Sequence, residues 1–351
     1  MSPHALRLGL VIGLAAALTK ALTSGIGLSS EAVAYGVVIA TLVIRPDFNR
    51  WPGALYPVLV VLVGVAMGIG LAVTMAFPDA PSSFSLAVVA ALMQLLGLML
   101  PARLQLLRGA LAVAGVLPLL SSGATPGSWA QELGAIALGL AMGSLVQALF
   151  TPAVVTPAPE PPEPPPDPPL AVRLRQGWRS PFFWQRTLLA MLALSIGEGI
   201  GAVTPKYLYF GVVLLFNDTL DATLARVIDR MVGVSLGVLM PLLVFNTLGM
   251  GVLQIGLVMG GTTTLVLALG LGSFLRTALI SSGVAFVGYG PLVAWYIPNR
   301  WVDYLMGCTL AAAAALLSEA FRRQRERAQQ AASRRPAPAC PSPPGRDRWS
   351  G

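Results

Sequence analysis

Long apolar stretches alternate with short polar breaks along most of the chain, too uniform for the one-sided pattern of a water-facing helix. A helical crossing of a bilayer needs about 17–25 mostly apolar residues. Stretches of this kind fall near residues 5–25, 32–45, 52–77, 83–100, 104–121 and 129–150. A second set falls near 183–203, 207–217, 227–248, 250–271, 274–293 and 300–321. Two members, 32–45 and 207–217, are shorter than a full crossing and hold corresponding places in the two sets. Short segments at matched positions point to a transporter's binding region, because irregular backbone survives at depth only beside a cavity. Ordinary crossings extended by flanking polar residues explain them equally well at this point.

The two sets match each other residue by residue. Gly36-Val37-Val38 answers Gly211-Val212-Val213, and Gly64 to Gly68 answers Gly233 to Gly237. Leu107-Arg108 through Gly115 answers Leu275-Arg276 through Gly283, and Trp129 to Phe150 answers Trp301 to Phe321. The expected fold is an all-α integral membrane protein of about 12 transmembrane helices, built as two parallel six-helix repeats. The units are 1–150, a first six-helix repeat; 151–182, a proline-rich cytoplasmic linker; 183–321, a second repeat; and 322–351, a basic disordered tail. The stretch Thr151 to Leu170, TPAVVTPAPEPPEPPPDPPL, reads as an extended spacer, since dense proline removes backbone donors and fixes φ. Arg7 before an apolar run resembles a signal peptide, but the matching segment in mid-chain argues against that.

Composition agrees. The chain of 351 residues is 55% hydrophobic and 11% charged, with a mean hydropathy of +0.74. Soluble domains carry about 25% charged residues, so a cytosolic enzyme is excluded. A net charge of +8 suggests nucleic acid only until the charges are located. Eight arginines against Glu326 and Asp347 put six of those charges in the tail, where they suit anionic lipid and not a nucleic-acid surface. With both termini cytoplasmic, all but Lys20, Lys206 and Arg300 of the 23 basic residues lie on the cytoplasmic side. The expected location is therefore a plasma membrane crossed many times, N- and C-termini inside.

No phosphate loop, His-Glu-x-x-His, Cys-x-x-Cys or Gly-x-Ser-x-Gly occurs. One histidine, His4, and two cysteines, Cys308 and Cys340, offer neither a metal set nor a disulfide framework. No enzyme activity, cofactor or metal is expected. Charges inside spans are the informative residues, each costing about 2.5–3.5 kcal/mol near a helix centre on insertion scales. Lys20 and Glu198 follow Arg7 and Arg186 at spacings of 13 and 12 residues, near-equivalent and opposite in sign. Paired across a twofold, they would carry a coupling proton or contact an anionic substrate; snorkelling at the span ends is the plainer account. Arg108 and Arg276 open the fifth and eleventh spans and would form a vestibule for carboxylates. Arg226 and Arg230 share one helical face, with Asp229 beside them as a neutralising charge. Headgroup anchoring explains all four arginines as well. The spaced glycines Gly64/Gly68, Gly139/Gly143 and Gly233/Gly237 fit close helix packing. Trp51, Trp178, Trp184, Trp295 and Trp301 fit interfacial belts.

A short second span followed by an Arg-led third span, Arg226-Val-Ile-Asp-Arg230-Met-Val-Gly233-Val-Ser-Leu-Gly237, resembles the fusaric acid resistance and aromatic acid exporter superfamily. The closing Asn299-Arg300-Trp-Val-Asp303-Tyr-Leu-Met-Gly307-Cys308 is similar to that superfamily's last span. The resemblance covers nearly the whole chain in layout. It implies proton-driven export of aromatic or other organic acids across a bacterial inner membrane, with a periplasmic adaptor (membrane fusion) protein as partner. The plant malate-channel family resembles the same six-helix unit, which keeps a passive organic-anion channel open; a non-transporting envelope scaffold is the third reading. The chain departs from the superfamily's pattern twice. A short proline linker replaces the large domain between halves, and Pro52-Gly-Ala-Leu-Tyr-Pro57 replaces the Arg-led start of the first half's third span.

Overall fold

A computed structural model describes residues 2–45, 55–101, 104, 107–120, 125–150, 168–201, 205–289 and 292–333. The stretch 151–167, the tail from 334 with Cys340, and the loop residues Arg50, Trp51 and Arg103 lie outside them. Among the described residues all regular structure is helical. The first set comprises α1 (Pro3–Gly25), α2 (Ser30–Leu42), α3 (Leu55–Ala76), α4 (Ser82–Met99), α5 (Arg108–Ala114), α6 (Leu117–Leu120) and α7 (Pro126–Phe150). Next comes α8 (Leu170–Arg179), which begins where the extended spacer of the sequence reading ends and lies within the 151–182 linker. The second set comprises α9 (Pro181–Gly199), α10 (Pro205–Leu215), α11 (Leu220–Gly237), α12 (Leu239–Leu248), α13 (Val252–Ala268), α14 (Leu275–Gly283) and α15 (Val293–Ser333).

Side-chain caps start several of these helices. Ser2 Oγ accepts from the Ala5 amide (3.2 Å), Ser29 Oγ from Ala32 (3.3 Å) and Thr219 Oγ1 from Ala222 (3.3 Å). Each satisfies one amide that the first turn leaves without a partner. The helices α1 and α9 end alike, on Gly25-Ile26-Gly27 and Gly199-Ile200-Gly201, where the last glycine turns the chain at φ +76° and +66°.

Among the described residues six helices are long and apolar enough to cross a membrane: α1, α3, α4, α7, the run from α11 through α12, and α15. The chain is thus a multi-pass helical membrane protein by length and composition. The expectation of about 12 crossings holds only in that coarser form, because the remaining stretches are short or interrupted. The helices α2 and α10 have 13 and 11 residues. The stretch 104–121 breaks between α5 and α6 beside Pro118, which brings no amide to the ladder. After α14 the ladder widens into a π-helical turn over Val284–Gly288. Between α11 and α12 the cause is Pro241, whose missing amide would have bonded the Gly237 carbonyl. That carbonyl accepts instead from Ser282 Oγ at 2.6 Å, a bond from α14 that satisfies the break.

Small residues let the backbones meet. The largest pairings are α1 with α13, α2 with α7 and α10 with α15, followed by α1 with α2 and α4 with α9. Gly9 and Gly13 lie against Gly256 and Gly260, and a methyl on Gly13 would sit 2.6 Å from the Gly256 carbonyl oxygen. Gly139 and Gly143 touch the α2 backbone at Gly36 and Ala40, and Gly211 touches Gly307. Gly233 and Gly237 press on Thr277, Ala278 and Ser281 of α14. Gly68 differs from the expectation, with nothing within 4 Å of an added methyl, while Gly64 meets only the Leu133 side chain.

Candidate functional site

Arginines crown the carbonyl ends of three helices. The last carbonyls of a helix have no intrahelical donor and carry its partial negative charge. At the end of α4, Arg108 Nε donates to Gly97 O (2.9 Å) and Arg173 Nη1 to Leu100 O (2.7 Å). At the end of α10, Arg186 Nη2 donates to Val213 O (2.5 Å) and Arg226 Nη1 to Leu214 O (3.3 Å). Arg7 donates to Phe150 O at the end of α7. These neutral partners hold the guanidinium planes without cancelling their charge. None of Arg108, Arg173, Arg186 and Arg226 is ion-paired among the described residues.

Arg186 is the centre of the group. It lies within electrostatic reach of Arg226 and of Arg108, which brings together side chains from α5, α9 and α11. Arg108 in turn feels Arg173 of α8. Among the described residues the Arg186 Nε–H is sealed from solvent and finds no acceptor. The hydroxyl of Tyr209, a fully buried side chain on α10 within reach of the same guanidinium, is sealed without a partner too. An unmet buried donor costs about 1–3 kcal/mol. The Arg186 Nε–H and the Tyr209 hydroxyl are two such groups, set where the guanidiniums of Arg108 and Arg226 approach that of Arg186.

A second cationic position lies one turn further along α11. Arg230 Nη2 donates to Tyr304 OH of α15 (2.8 Å), its Cζ stands 4.9 Å from that ring's centroid, and its Nε is sealed without an acceptor. Tyr304 belongs to an apolar cluster with Tyr296, against which Phe210, Phe245 and Tyr289 pack. Trp301 Nε1 donates to Ser235 Oγ at 3.2 Å in the same α11–α15 contact. Asp229 makes no ion pair with the arginines beside it among the described residues. It turns to α14 and accepts from Thr277 Oγ1 at 3.1 Å.

The sequence-selected residues therefore separate. Arg108, Arg226 and Arg230 enter the cationic region, whereas Arg276 is exposed at the start of α14 and does not meet Arg108. Lys20 and Glu198 are not joined. Glu198 is exposed and accepts from Ser82 Oγ at the start of α4, while half-buried Lys20 sits on α1, which packs on α13, α2 and α7. The matching Gly-Ile-Gly ends explain the miss: Glu198 stands one residue before its first glycine and Lys20 five before its own. They differ by one helical turn. Arg186 was passed over as a topology marker, although its place five residues into an apolar helix was the available signal. Two buried carboxyl residues were missed as well: Glu132 of α7 and Asp303 of α15 are only 3% and 4% exposed.

Near the cationic group, a cleft of about 510 Å³ opens between Phe182, Gln185, Asn217, Ser318 and Arg322. Its lining sets Asp218, Glu319 and Glu326 against Arg322 and Arg325, and Glu319 holds Arg322 at 2.5 Å. Among the described residues no three His, Cys, Asp or Glu side chains are grouped to hold a metal. The bundle and its charged end define a helical, multi-pass membrane protein. Set against protein-family models, curated proteins and solved structures, the chain finds no match, so function has to be read from its own residues.

Proposed function

We propose that the chain is a secondary transporter that exports small organic acids, aromatic ones included, across a bacterial inner membrane with proton coupling. The observation that carries this reading is the convergence of Arg108, Arg186 and Arg226, unpaired and backed by the orphan Arg186 Nε–H and Tyr209 hydroxyl. Guanidiniums held on carbonyls keep their charge for a carboxylate, and their planar donors match its two oxygens. Arg230 offers the next position inward, beside aromatic rings that suit an apolar or aromatic body. The crowded arginine end faces the cytoplasm by the positive-inside rule, which sets the site where an exporter loads.

The two-repeat architecture belongs to the same proposal. Its support is that the pairings come in matched sets: α1 on α13 answers α9 on α4, and α2 on α7 answers α10 on α15. With α11 and α12 counted as one run, each half thus lays its first helix on the fourth of the other. A periplasmic adaptor is the partner that the resemblance to the fusaric acid resistance superfamily implies.

The test is uptake of labelled benzoate into inverted membrane vesicles with an imposed proton gradient. Removing one side of a charged, desolvated contact costs about 2–5 kcal/mol, so Arg186→Ala lowers the initial rate thirtyfold or more. Arg276→Ala leaves it within about twofold. Equal rates in wild type and Arg186→Ala would overturn the site. Uptake that survives collapse of the gradient identifies a passive anion channel, and no flux of any organic acid identifies a scaffold.

A further inference from the structure

We infer that α8 is an interfacial helix that binds the phosphate headgroups of anionic phospholipids, a role independent of what the bundle transports. Two faces of this ten-residue helix do different work. The inner face is fixed to α4: Arg173 caps Leu100 O at 2.7 Å, and a methyl on Gly177 would fall 2.1 Å from Leu98 Cδ1. The outer face carries Val172, Arg175, Gln176 and Arg179, which with Ser180 line an open notch of about 470 Å³. Arg175 and Arg179 are exposed, stand one turn apart and make no ion pair among the described residues.

Three features select a lipid surface as the occupant. The first is level: α8 is anchored where the membrane-length helix α4 ends, and extended Ser180 (ψ 128°) breaks it from α9 so that it need not continue across. The second is amphipathic chemistry: Leu170, Val172, Trp178 and Trp184 are all more than 40% exposed, while Trp184 Nε1 donates to Trp178 O at 3.0 Å and the two rings lie 4.8 Å apart. Paired tryptophans with one apolar side suit the headgroup boundary. The third is charge: residues 168–197 carry four arginines and no acidic side chain. An anionic leaflet attracts such a segment, each arginine near the surface strengthening binding roughly fivefold.

The test uses the full-length protein in neutral detergent, titrated with phosphatidylglycerol, phosphatidylcholine or soluble glycerol phosphate, with bound ligand counted by native mass spectrometry. Phosphatidylglycerol is expected to bind in preference to the other two. Arg175→Gln/Arg179→Gln should weaken it about thirtyfold, while Arg175→Lys/Arg179→Lys, which keeps the charge, stays within about threefold of wild type. Phosphatidylglycerol binding unchanged in the glutamine pair overturns the proposal, as does loss of the same size in the lysine pair. Glycerol phosphate binding as tightly as the lipid would mark a small-anion site instead. A polyglutamate peptide that binds the wild type where the lipid does not would mark an acidic protein partner instead.

Discussion

The third helices of the two sets, α3 and α11, hold corresponding places and are built oppositely. The first reads LYPVLVVLVGVAMGIGLAVTMA and carries no charge; the second reads LDATLARVIDRMVGVSLG and carries four. The apolar stretch of α3 is the more hydrophobic of the two. On α3, Thr74 Oγ1 donates within the helix to Gly70 O at 3.0 Å. From α11, polar bonds reach α10 through Arg226, α14 through Asp229, and α15 through Arg230 and Ser235. Apolar contacts gain little inside a bilayer, since lipid tails are as apolar as leucine, so these bonds and backbone contacts are what fix a helix. One helix is a strut against lipid, and the other is a hub that ties its neighbours to the cationic site.

Exchanging packing residues between the two helices should break this contrast most visibly. Gly237→Leu would drive a side chain into the Ala278 carbonyl, 2.4 Å from the new Cβ, and that backbone has nowhere to move. Gly68→Leu enters open space. We expect Gly237→Leu to remove most of the monodisperse peak in fluorescence-detected gel filtration, and Gly68→Leu to leave it near the wild-type height. Similar losses in both would show that α3 packs as tightly as α11.

The next effect is on flux. Arg230→Met keeps the bulk of the side chain and the fold of α11 but removes the charge beside Tyr304. If α11 is the hub of the path, benzoate uptake falls about thirtyfold, the equivalent of about 2 kcal/mol at a charged contact. Val65→Ala on lipid-facing α3 should stay within about twofold. A small loss at Arg230 with intact loss at Arg186 would confine the path to the outer arginines.

Much of this was legible in the pattern of residues, and the remainder was hidden for identifiable reasons. The length of the apolar runs marked the bundle, and the arginines that begin helices marked one end of it. The short segments at α2 and α10 were visible because their flanking polar residues are close. The enclosure of Arg186 was not visible, because it is made by the end of α10, a segment 27 residues away. Helix α8 was masked by the prolines that run up to Pro169, after which LAVRLRQGWR has the spacing of an amphipathic turn. The Lys20–Glu198 pairing failed on register, since counting from arginines missed the turn that the Gly-Ile-Gly ends reveal. Glu132 and Asp303 each look like a solvated residue near a helix start until α2 and α10 are laid over their helices.

The smallest effect sharpens the account of why α11 ends where it does. Ser282 Oγ lies 2.9 Å from Thr262 Oγ1 and 2.6 Å from the Gly237 carbonyl that Pro241 leaves without an amide. Hydrogen bonds between membrane helices average about 0.6 kcal/mol and reach about 1.7. Ser282→Ala should fall near the upper figure, because the Gly237 oxygen is buried and has no amide in its own helix to return to. Pro241→Ala supplies that amide. In the Pro241→Ala background the cost of Ser282→Ala should therefore drop by about 1 kcal/mol, measured as resistance to unfolding in a denaturing detergent. An equal cost in both backgrounds would mean that Ser282 serves Thr262 alone, and that the break in α11 owes its stability to packing rather than to the bond from α14.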